Sequence, residues 1–547
     1  MNLLPRWIEK AKSIQVNGSI FVLSILSGFI CHAYCMVNLI GTEDTLGDYS
    51  AGSINLLSTF AGADTGRWLS GFVNRIQGWY RTPMLSGCII ILIMAVMAQL
   101  VICFFQIRST AGMIFIAILL GVTSPAQSYM TLYEVGYPLS ALLAVLAAYF
   151  LSKARTVGKK YWIYATICEC VALCILPVNI SCTLTLLLML LLLHAVDPAY
   201  SVSRRSEWRW IACCLCSLVV SGAFLLVSSR FLMSWFTVAQ TSYQGAEAAM
   251  NGSFIGSIGA NYFHSFVKLF IMGIWKLQTL PTFRFTYYVC YVLDLICTLG
   301  LLRRCRNKGR RFVQVLTCLA LLPVAVCTMS LVSYGFMYRG QHRQALILFV
   351  LGTIPLVELF LSAGRGQKDR LQTLGLCGAL KVVVYMILTG NLALMCISSV
   401  LFDNIGYFNQ HHAMVQDRSL CTRILSVLDQ TEGFTYDQPV YFLNLLSWES
   451  EESPTPLRYD PELYSVIWPV ETTNLYAYGD ASFRIHMRSL EGVEFQRPAR
   501  DICEAVENSD LKVQYDDMRS GDFEIVRYEN TWVVVVRTIG PINVLYG

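Results

Sequence analysis

The chain has 547 residues, of which 55% are hydrophobic and 14% are charged, and its mean hydropathy is +0.52. Soluble proteins carry about a quarter charged residues, so this composition excludes an ordinary soluble protein and predicts a polytopic α-helical membrane protein. The net charge of +5 is small, and the basic residues stand in short clusters between apolar stretches. This distribution argues against a nucleic-acid partner and favours orientation in a lipid bilayer.

Eleven apolar stretches come close to the ~20 residues that a helix needs to cross a bilayer. They lie at residues 18–40, 85–106, 112–132, 138–152, 161–179, 181–196, 210–229, 285–302, 313–333, 345–362 and 382–401. If the N-terminus is cytoplasmic, every strongly basic connector falls on the cytoplasmic side, as the positive-inside rule requires. The odd number of spans then predicts that the C-terminal part of the chain and the first long loop, residues 41–83, lie on the outer face.

The composition changes at about residue 402 to that of a soluble protein. We therefore predict a transmembrane domain at residues 1–401 and a small extracytoplasmic α/β domain at residues 402–547. The elements predicted for the second domain are an amphipathic helix, a strand and a β-hairpin, at residues 413–431, 438–444 and 523–537. The turn of the hairpin is expected at Glu529 and Asn530.

Most of the 20 cysteines lie inside apolar stretches, where cysteine behaves as a small hydrophobic residue. No C-x2-C pair is matched by a second pair, and no H-E-x-x-H motif occurs, so the motifs predict no zinc site. Cys421 and Cys503 are the cysteines of the C-terminal domain. On an oxidising face of the membrane these two thiols are candidates for a disulfide.

The loop at residues 41–83 begins with acidic residues, in a chain that otherwise avoids charge. Glu43 and Asp44 directly follow the first span, and Asp48 comes soon after them. A carboxylate at the outer surface of the membrane can deprotonate a hydroxyl group or position a metal ion, so Glu43 and Asp44 are candidate catalytic residues. The alternative is that they cap a helix or solvate a loop, and Asp48 equally suits a turn.

Later in the same loop, Asp64 precedes the Gly66-Arg67-Trp68 element. The planar guanidinium of Arg67 can bind a phosphate group through two hydrogen bonds. The alternative is an arginine that reaches from an apolar segment to the lipid headgroups. Asp64 is expected either to pair with Arg67 or to cap a helix.

Further polar residues are predicted on the outer side of the membrane. Glu134, at the outer end of the third span, is either a second acid of the same cavity or a solvated acid at a turn. A basic cluster before the tenth span lies on the outer side, against the positive-inside rule, and suggests an anionic partner or an interfacial cluster. The residues of this cluster are Arg339, His342 and Arg343. His264 lies in the aromatic segment of another outer loop.

The acidic pair after the first span, the Gly66-Arg67-Trp68 element, the many spans and the outer α/β domain together resemble the bacterial GtrII-type glucosyltransferase family. This family decorates cell-surface polysaccharides such as O-antigen and belongs to the GT-C class of membrane glycosyltransferases. Its pattern carries a pair of acids, often Asp-Asp, where this chain has Glu43-Asp44, and a Gly-Arg dipeptide where it has Gly66-Arg67. The resemblance extends over essentially the whole chain and leaves open which acid is the base.

The resemblance implies a GT-C-like enzyme of the bacterial plasma membrane. Its donor would be a hexose on a polyprenyl phosphate such as undecaprenyl phosphate, and its acceptor a polysaccharide hydroxyl at the outer face. Transfer would invert the anomeric carbon, with no certain cofactor and the question of a divalent cation, Mg²⁺ or Mn²⁺, left open. From the residues and this resemblance together, we expect Asp44 or Glu43 to act as base and the donor phosphate to be bound by Arg67, Arg339, His342 and Arg343. Possible supporting residues are Asp48, Asp64, Glu134 and His264.

Other functions fit part of the pattern. A transporter or flippase of lipid-linked sugars would carry polar residues throughout its spans, whereas here they concentrate in the outer loops. A polysaccharide polymerase would also use a large outer loop with arginines. An envelope assembly protein would not need so many spans as an anchor.

Overall fold

A computed structural model describes most of the helical part of the chain and most of the C-terminal domain. The described residues are 17–38, 40, 63–76, 82–197, 204–237, 256, 258–265, 281–303, 305, 308–326, 328, 343–362, 374–447, 479–518 and 521–539.

The first fourteen helices of the described residues form the apolar part of the protein. They are α1 Gly18–Val37, α2 Ser70–Ile76, α3 Pro83–Phe105, α4 Thr110–Val122, α5 Ser124–Leu132, α6 Gly136–Thr156, α7 Lys160–Ile175, α8 Ile180–Val196, α9 Arg204–Phe236, α10 Ile258–Ser265, α11 Pro281–Leu302, α12 Lys308–Val326, α13 Arg343–Ser362 and α14 Leu374–Gln430.

Eight helical segments of the described residues are long and apolar enough to cross a membrane. Shorter apolar helices occur at Thr286–Leu302 and Arg311–Val326, and α7 lies where the fifth span is expected. Each predicted apolar stretch therefore contains helix among its described residues, and the protein is a polytopic helical membrane protein. The number of eleven spans, and their orientation, stay predictions.

The third predicted span is not one straight helix, because it breaks between α4 and α5. Thr123 has an extended backbone and Pro125 opens α5. Proline has no N–H group and so cannot donate to the carbonyl four residues earlier, which is that of Gly121. The imidazole Nε2 of His32 on α1 lies 2.7 Å from this carbonyl oxygen instead. A side chain from another helix thus provides the hydrogen bond that the Gly121 carbonyl loses at the break.

Close approach of helices requires small residues at their crossing points. A Cβ atom on Gly87 of α3 would lie 2.6 Å from the Cγ atom of Met36 on α1. No larger residue fits there unless Met36 moves. The α1 and α3 backbones are thereby brought together beside α4 and α14, which also pack on α1.

The last long helix runs without a break from the apolar part of the chain into the C-terminal domain. The helix α14 has 57 residues and crosses the boundary expected at residue 402. It contains no proline, so nothing in its sequence forces the helix to stop where the hydropathy changes. The amphipathic helix expected at residues 413–431 is the end of α14, and the division into two domains stays a prediction.

The C-terminal domain contains a three-stranded sheet with the order β1-β3-β2. Its remaining described elements are β1 Val440–Ser447, α15 Gly479–His486, α16 Arg500–Glu507, α17 Leu511–Gln514, β2 Phe523–Tyr528 and β3 Thr531–Ile539. The strand β3 is antiparallel to β2 and parallel to β1. The predicted hairpin is confirmed, and Glu529 at its turn has a positive φ of 51°.

Both faces of this sheet are covered, which explains the run of valines in its central strand. The end of α14 packs on one face against Phe442 and Val534, and α16 packs on the other against Tyr441 and Val533. Cys421 lies in the first of these clusters and Cys503 beside the second. Neither thiol forms a disulfide, so the pairing considered from the sequence is wrong: the sheet separates the two side chains.

Candidate functional site

The segment at residues 63–70 is held against three helices that are distant in sequence. The Trp68 indole N–H donates to the Ser228 hydroxyl on α9 over 3.1 Å, and the Leu69 amide donates to the carbonyl of Cys174 on α7 over 3.0 Å. The Ser70 hydroxyl donates to the Glu134 carboxylate, at the end of α5, over 2.9 Å. These contacts fix the second part of the candidate catalytic loop to the helical core.

Arg67 is half-buried within this segment and has defined partners. Its Nη1 group donates to the Tyr137 hydroxyl over 3.2 Å, and its Nε group donates to the Thr65 hydroxyl over 3.3 Å. An arginine fixed inside the protein does not fit the alternative of a side chain extended to the lipid headgroups. The orientation suits a guanidinium that is held in place before an anion binds.

The charge of Arg67 acts on the carboxyl group of Asp64. Partial burial raises the pKa of Asp64, while the Thr65 backbone amide and the Arg67 charge lower it. A carboxylate beside Arg67 therefore supports the arginine electrostatically.

The turn that directs Arg67 depends on a glycine. Gly66 has a φ of +76°, and an L-residue in this left-handed region is strained by about 1–2 kcal/mol. The added methyl group would make only ordinary contacts, at 3.5 Å from Leu225 and 3.6 Å from Pro177. We therefore expect Gly66→Ala to lower the melting temperature in detergent through backbone strain.

Gly222→Ala is the matched control for that prediction. Gly222 lies within α9, and a Cβ atom there meets nothing within 4 Å, so alanine should leave the melting temperature unchanged or raise it. Equal melting temperatures for Gly66→Ala and the wild-type protein would contradict the role of the left-handed turn.

The beginning of the same loop is held at the same place. The Tyr133 hydroxyl accepts a hydrogen bond of 2.9 Å from the amide of Ile40 and lies 3.1 Å from the carbonyl oxygens of Cys35 and Asn38. Tyr133 ends α5 with a positive φ of 47°, which turns the chain toward α6. The end of α1 is thereby attached to the residue that precedes Glu134.

Three neighbouring residues thus hold two distant parts of the chain. Tyr133 binds Ile40, Glu134 binds Ser70, and Tyr137 binds Arg67. We call residues 133–137 the anchor segment. The anchor segment therefore brings together the residue before the loop, Ile40, and the loop residue Arg67.

Glu134 is a buried residue of this site, with 5% of its surface exposed. It is therefore not the solvated acid of one of the two sequence-based alternatives. Tyr133 and Tyr137 were given no role by sequence reasoning, although they flank Glu134 closely in the sequence. Two tyrosines beside an acid at the end of a span were the signal that could have identified the anchor segment.

Arg343 is buried between the start of α13 and α5. It opens α13, is only 6% exposed, and its Nη1 group is 3.5 Å from the Ser128 hydroxyl on α5. Its burial replaces the expectation of an interfacial arginine. The helix α5 connects the two places, because Ser128 lies within it and Glu134 follows its end.

The other predicted site residues are not placed. Those that lie outside the described residues are Glu43, Asp44, Asp48, Arg339 and His342. His264 belongs to α10, but its side chain also lies outside the described part of the structure. Two acids within apolar helices, Glu169 and Asp294, are both buried, and Glu169 accepts a hydrogen bond of 2.7 Å from Thr183.

Comparison with known proteins identifies the family. Neither the curated proteins nor the solved structures contain a match. The family described as glucosyl transferase GtrII matches residues 48–360. The matched range includes Arg67, Glu134 and Arg343 but begins after Glu43 and Asp44 and ends before the C-terminal domain, so it is narrower than the resemblance expected from the sequence. Because the match covers more than half of the chain, the protein belongs to the GtrII glucosyltransferase family and is a membrane glycosyltransferase.

Proposed function

We propose that the protein transfers a hexose from a polyprenyl-phosphate donor to a hydroxyl group of a cell-surface polysaccharide. The transfer takes place at the outer face of a bacterial plasma membrane and inverts the anomeric carbon. The observation that carries this proposal is the attachment of Ile40, Ser70 and Arg67 to the anchor segment. It joins the start of the acidic loop to the candidate phosphate-binding arginine.

The base in this proposal is Asp44 or Glu43. Asp44 follows Ile40 by four residues, and four extended residues span at most about 14 Å. The chain therefore keeps either carboxylate within reach of the anchor segment. In the reaction, the base takes the proton of the acceptor hydroxyl as its oxygen bonds to the anomeric carbon.

Arg67 stabilises the leaving group. The bond between the anomeric carbon and the phosphate oxygen breaks, its electron pair stays on the phosphate, and the negative charge there increases. A guanidinium held in place by Tyr137 and Thr65 stabilises that charge without having to reorganise. Arg343, with Arg339 and His342, would supply further positive charge toward the phosphate.

Glu134 and Asp64 support this arrangement by position and charge. Glu134 holds Ser70, three residues from Arg67, and Asp64 interacts electrostatically with Arg67. Phosphate leaves readily as an anion, so the proposal requires no general acid. No step is assigned to Mg²⁺ or Mn²⁺.

The test is transfer by the purified wild-type chain in detergent, with a radiolabelled polyprenyl-phosphate hexose and a panel of polysaccharide acceptors. We expect labelled polysaccharide and free polyprenyl phosphate in equal amounts, with the anomeric configuration inverted. An arm with EDTA separates metal-dependent from metal-independent transfer. In a parallel arm the chain is reconstituted into lipid vesicles; movement of the intact donor across the vesicle membrane without transfer would identify a flippase and would overturn the proposal.

Tyr137→Phe tests the support of Arg67. This change removes only the hydroxyl that accepts from Arg67, and a hydrogen bond to a charged group is worth about 1.5–3 kcal/mol. Because the guanidinium itself remains, we expect kcat/KM for the donor to fall about 10-fold. Tyr161→Phe, on a tyrosine of α7 outside the site, is the control. A value for Tyr137→Phe equal to that of the control would contradict the positioning role.

A further inference from the structure

A second polar cluster lies inside the helical core, between α1 and α14. Cys31 and His32 are consecutive residues of α1, and Asp403 belongs to α14. Their exposed fractions are 0%, 0% and 3%. Within the part of the chain that the structure describes, this is the one place where three such potential metal ligands converge.

The distances within this cluster are close to those of a metal site. The Cys31 Sγ atom is 3.2 Å from Asp403 Oδ2, and His32 Nδ1 is 3.9 Å from the same oxygen. All three ligand atoms lie within 4.8 Å of one another. Tetrahedral zinc, with bonds of about 2.0–2.3 Å, places its ligand atoms about 3.3–3.8 Å apart, so small side-chain movements suffice to bind one ion.

The histidine is oriented as a ligand by its neighbours. His32 Nε2 is 2.7 Å from the carbonyl oxygen of Gly121, and because a carbonyl only accepts, Nε2 must carry the proton. The lone pair of the neutral ring is therefore on Nδ1, which accepts from the Tyr407 hydroxyl over 2.7 Å and lies 3.9 Å from Asp403 Oδ2. Metal-binding histidines characteristically donate their other ring N–H to a carbonyl or carboxylate in this manner.

Charge balance also favours a divalent cation. A thiolate, a carboxylate and a neutral imidazole carry two negative charges, so a divalent ion makes the cluster electrically neutral. Neutrality matters because an uncompensated charge is costly in the interior of a membrane protein. The thiolate selects a borderline-soft ion such as Zn²⁺ over Mg²⁺, which prefers oxygen ligands.

We propose that Cys31, His32 and Asp403 bind one Zn²⁺ ion that joins α1 to α14. Binding releases the proton that Cys31 otherwise donates to Asp403, together with the carboxyl proton where Asp403 carries one. The Tyr407 hydroxyl then gives up its hydrogen bond to Nδ1. Because all three ligands are buried, the ion enters as α1 and α14 pack together and afterwards exchanges slowly. The proposed zinc site does not depend on the proposed transfer reaction.

The test is the metal content of the full chain, purified in detergent through a tag without histidines and washed with chelator. We expect about one zinc per wild-type chain, and less than a tenth of that in Cys31→Ser and in Asp403→Asn. Cys35→Ser is the matched control, because Cys35 is equally buried one turn further along α1 and lies outside the cluster. This control should keep its zinc.

Growth with cobalt in place of zinc gives a second readout, which needs no variant to fold. A thiolate bound to Co²⁺ gives a near-ultraviolet charge-transfer band that a cobalt ion adsorbed elsewhere does not give. We expect this band in the wild-type protein and in Cys35→Ser. A wild-type chain with neither stoichiometric zinc nor the cobalt band would overturn the proposal, as would full zinc content in folded Cys31→Ser and Asp403→Asn.

Discussion

Removal of both candidate bases, in the double variant Glu43→Gln/Asp44→Asn, is expected to slow sugar transfer about 10²–10⁴-fold, the usual contribution of a general base. An amide keeps the size of each carboxylate but cannot accept the acceptor's proton. The loss should appear in kcat, because proton transfer takes place in the chemical step. The measurement is the rate of labelled polysaccharide formation at saturating donor and acceptor.

The single variants assign the base. The loss should be reproduced by either Glu43→Gln or Asp44→Asn, and the other variant should keep most of its activity. Asp48→Asn is the control for a nearby loop acid, with a smaller expected effect. Full activity in the double variant would exclude both acids as the base and would move the search to Glu134, the buried acid of the anchor segment.

Arg67→Ala is expected to lower kcat about 10²–10³-fold, as the loss of one transition-state-stabilising group does. The guanidinium stabilises the transition state more than the bound substrate, because negative charge accumulates on the departing phosphate. Arg67→Lys keeps the charge but not the planar pair of donors and should recover only part of the rate. The measurement is kcat and donor KM for both variants in the same transfer assay.

Arg108→Ala is the matched control for Arg67→Ala, because Arg108 is an exposed arginine that belongs neither to the anchor segment nor to its partners. Its kinetics should be those of the wild type. Unchanged kcat and unchanged donor KM in Arg67→Ala would remove the arginine from the mechanism. A thermal melt of each variant separates loss of chemistry from loss of folding.

The sequence predicted well what depends on local pattern. Apolar stretches of membrane-spanning length gave the helices, and the alternating residues around Glu529 gave the hairpin of β2 and β3. The sequence did not predict where a helix ends when the helix continues beyond the change in hydropathy. The helix α14 continues past residue 402, because a change from apolar to polar residues alone does not end a helix.

The site was predicted by residue type but not by arrangement. Arg67 and Glu134 were recognised from the sequence. The hydrogen bonds that bring them together were not, because Arg67 and Tyr137 are separated by 70 positions and Ser70 and Glu134 by 64 positions. Cys31 and Asp403 are separated by 372 positions, so no spacing motif could reveal their contact. Such pairs are set by how the helices pack, which a single sequence does not record.

The unbroken α14 has a mechanical consequence. Its 57 residues span about 85 Å at 1.5 Å per residue, much more than the ~30 Å of a bilayer core. A continuous helix of this kind acts as a stiff rod, so a small tilt at the sheet is carried to Asp403 and, through Cys31 and His32, to α1. A load on the C-terminal domain would thus be transmitted to α1, the helix that precedes the candidate catalytic loop.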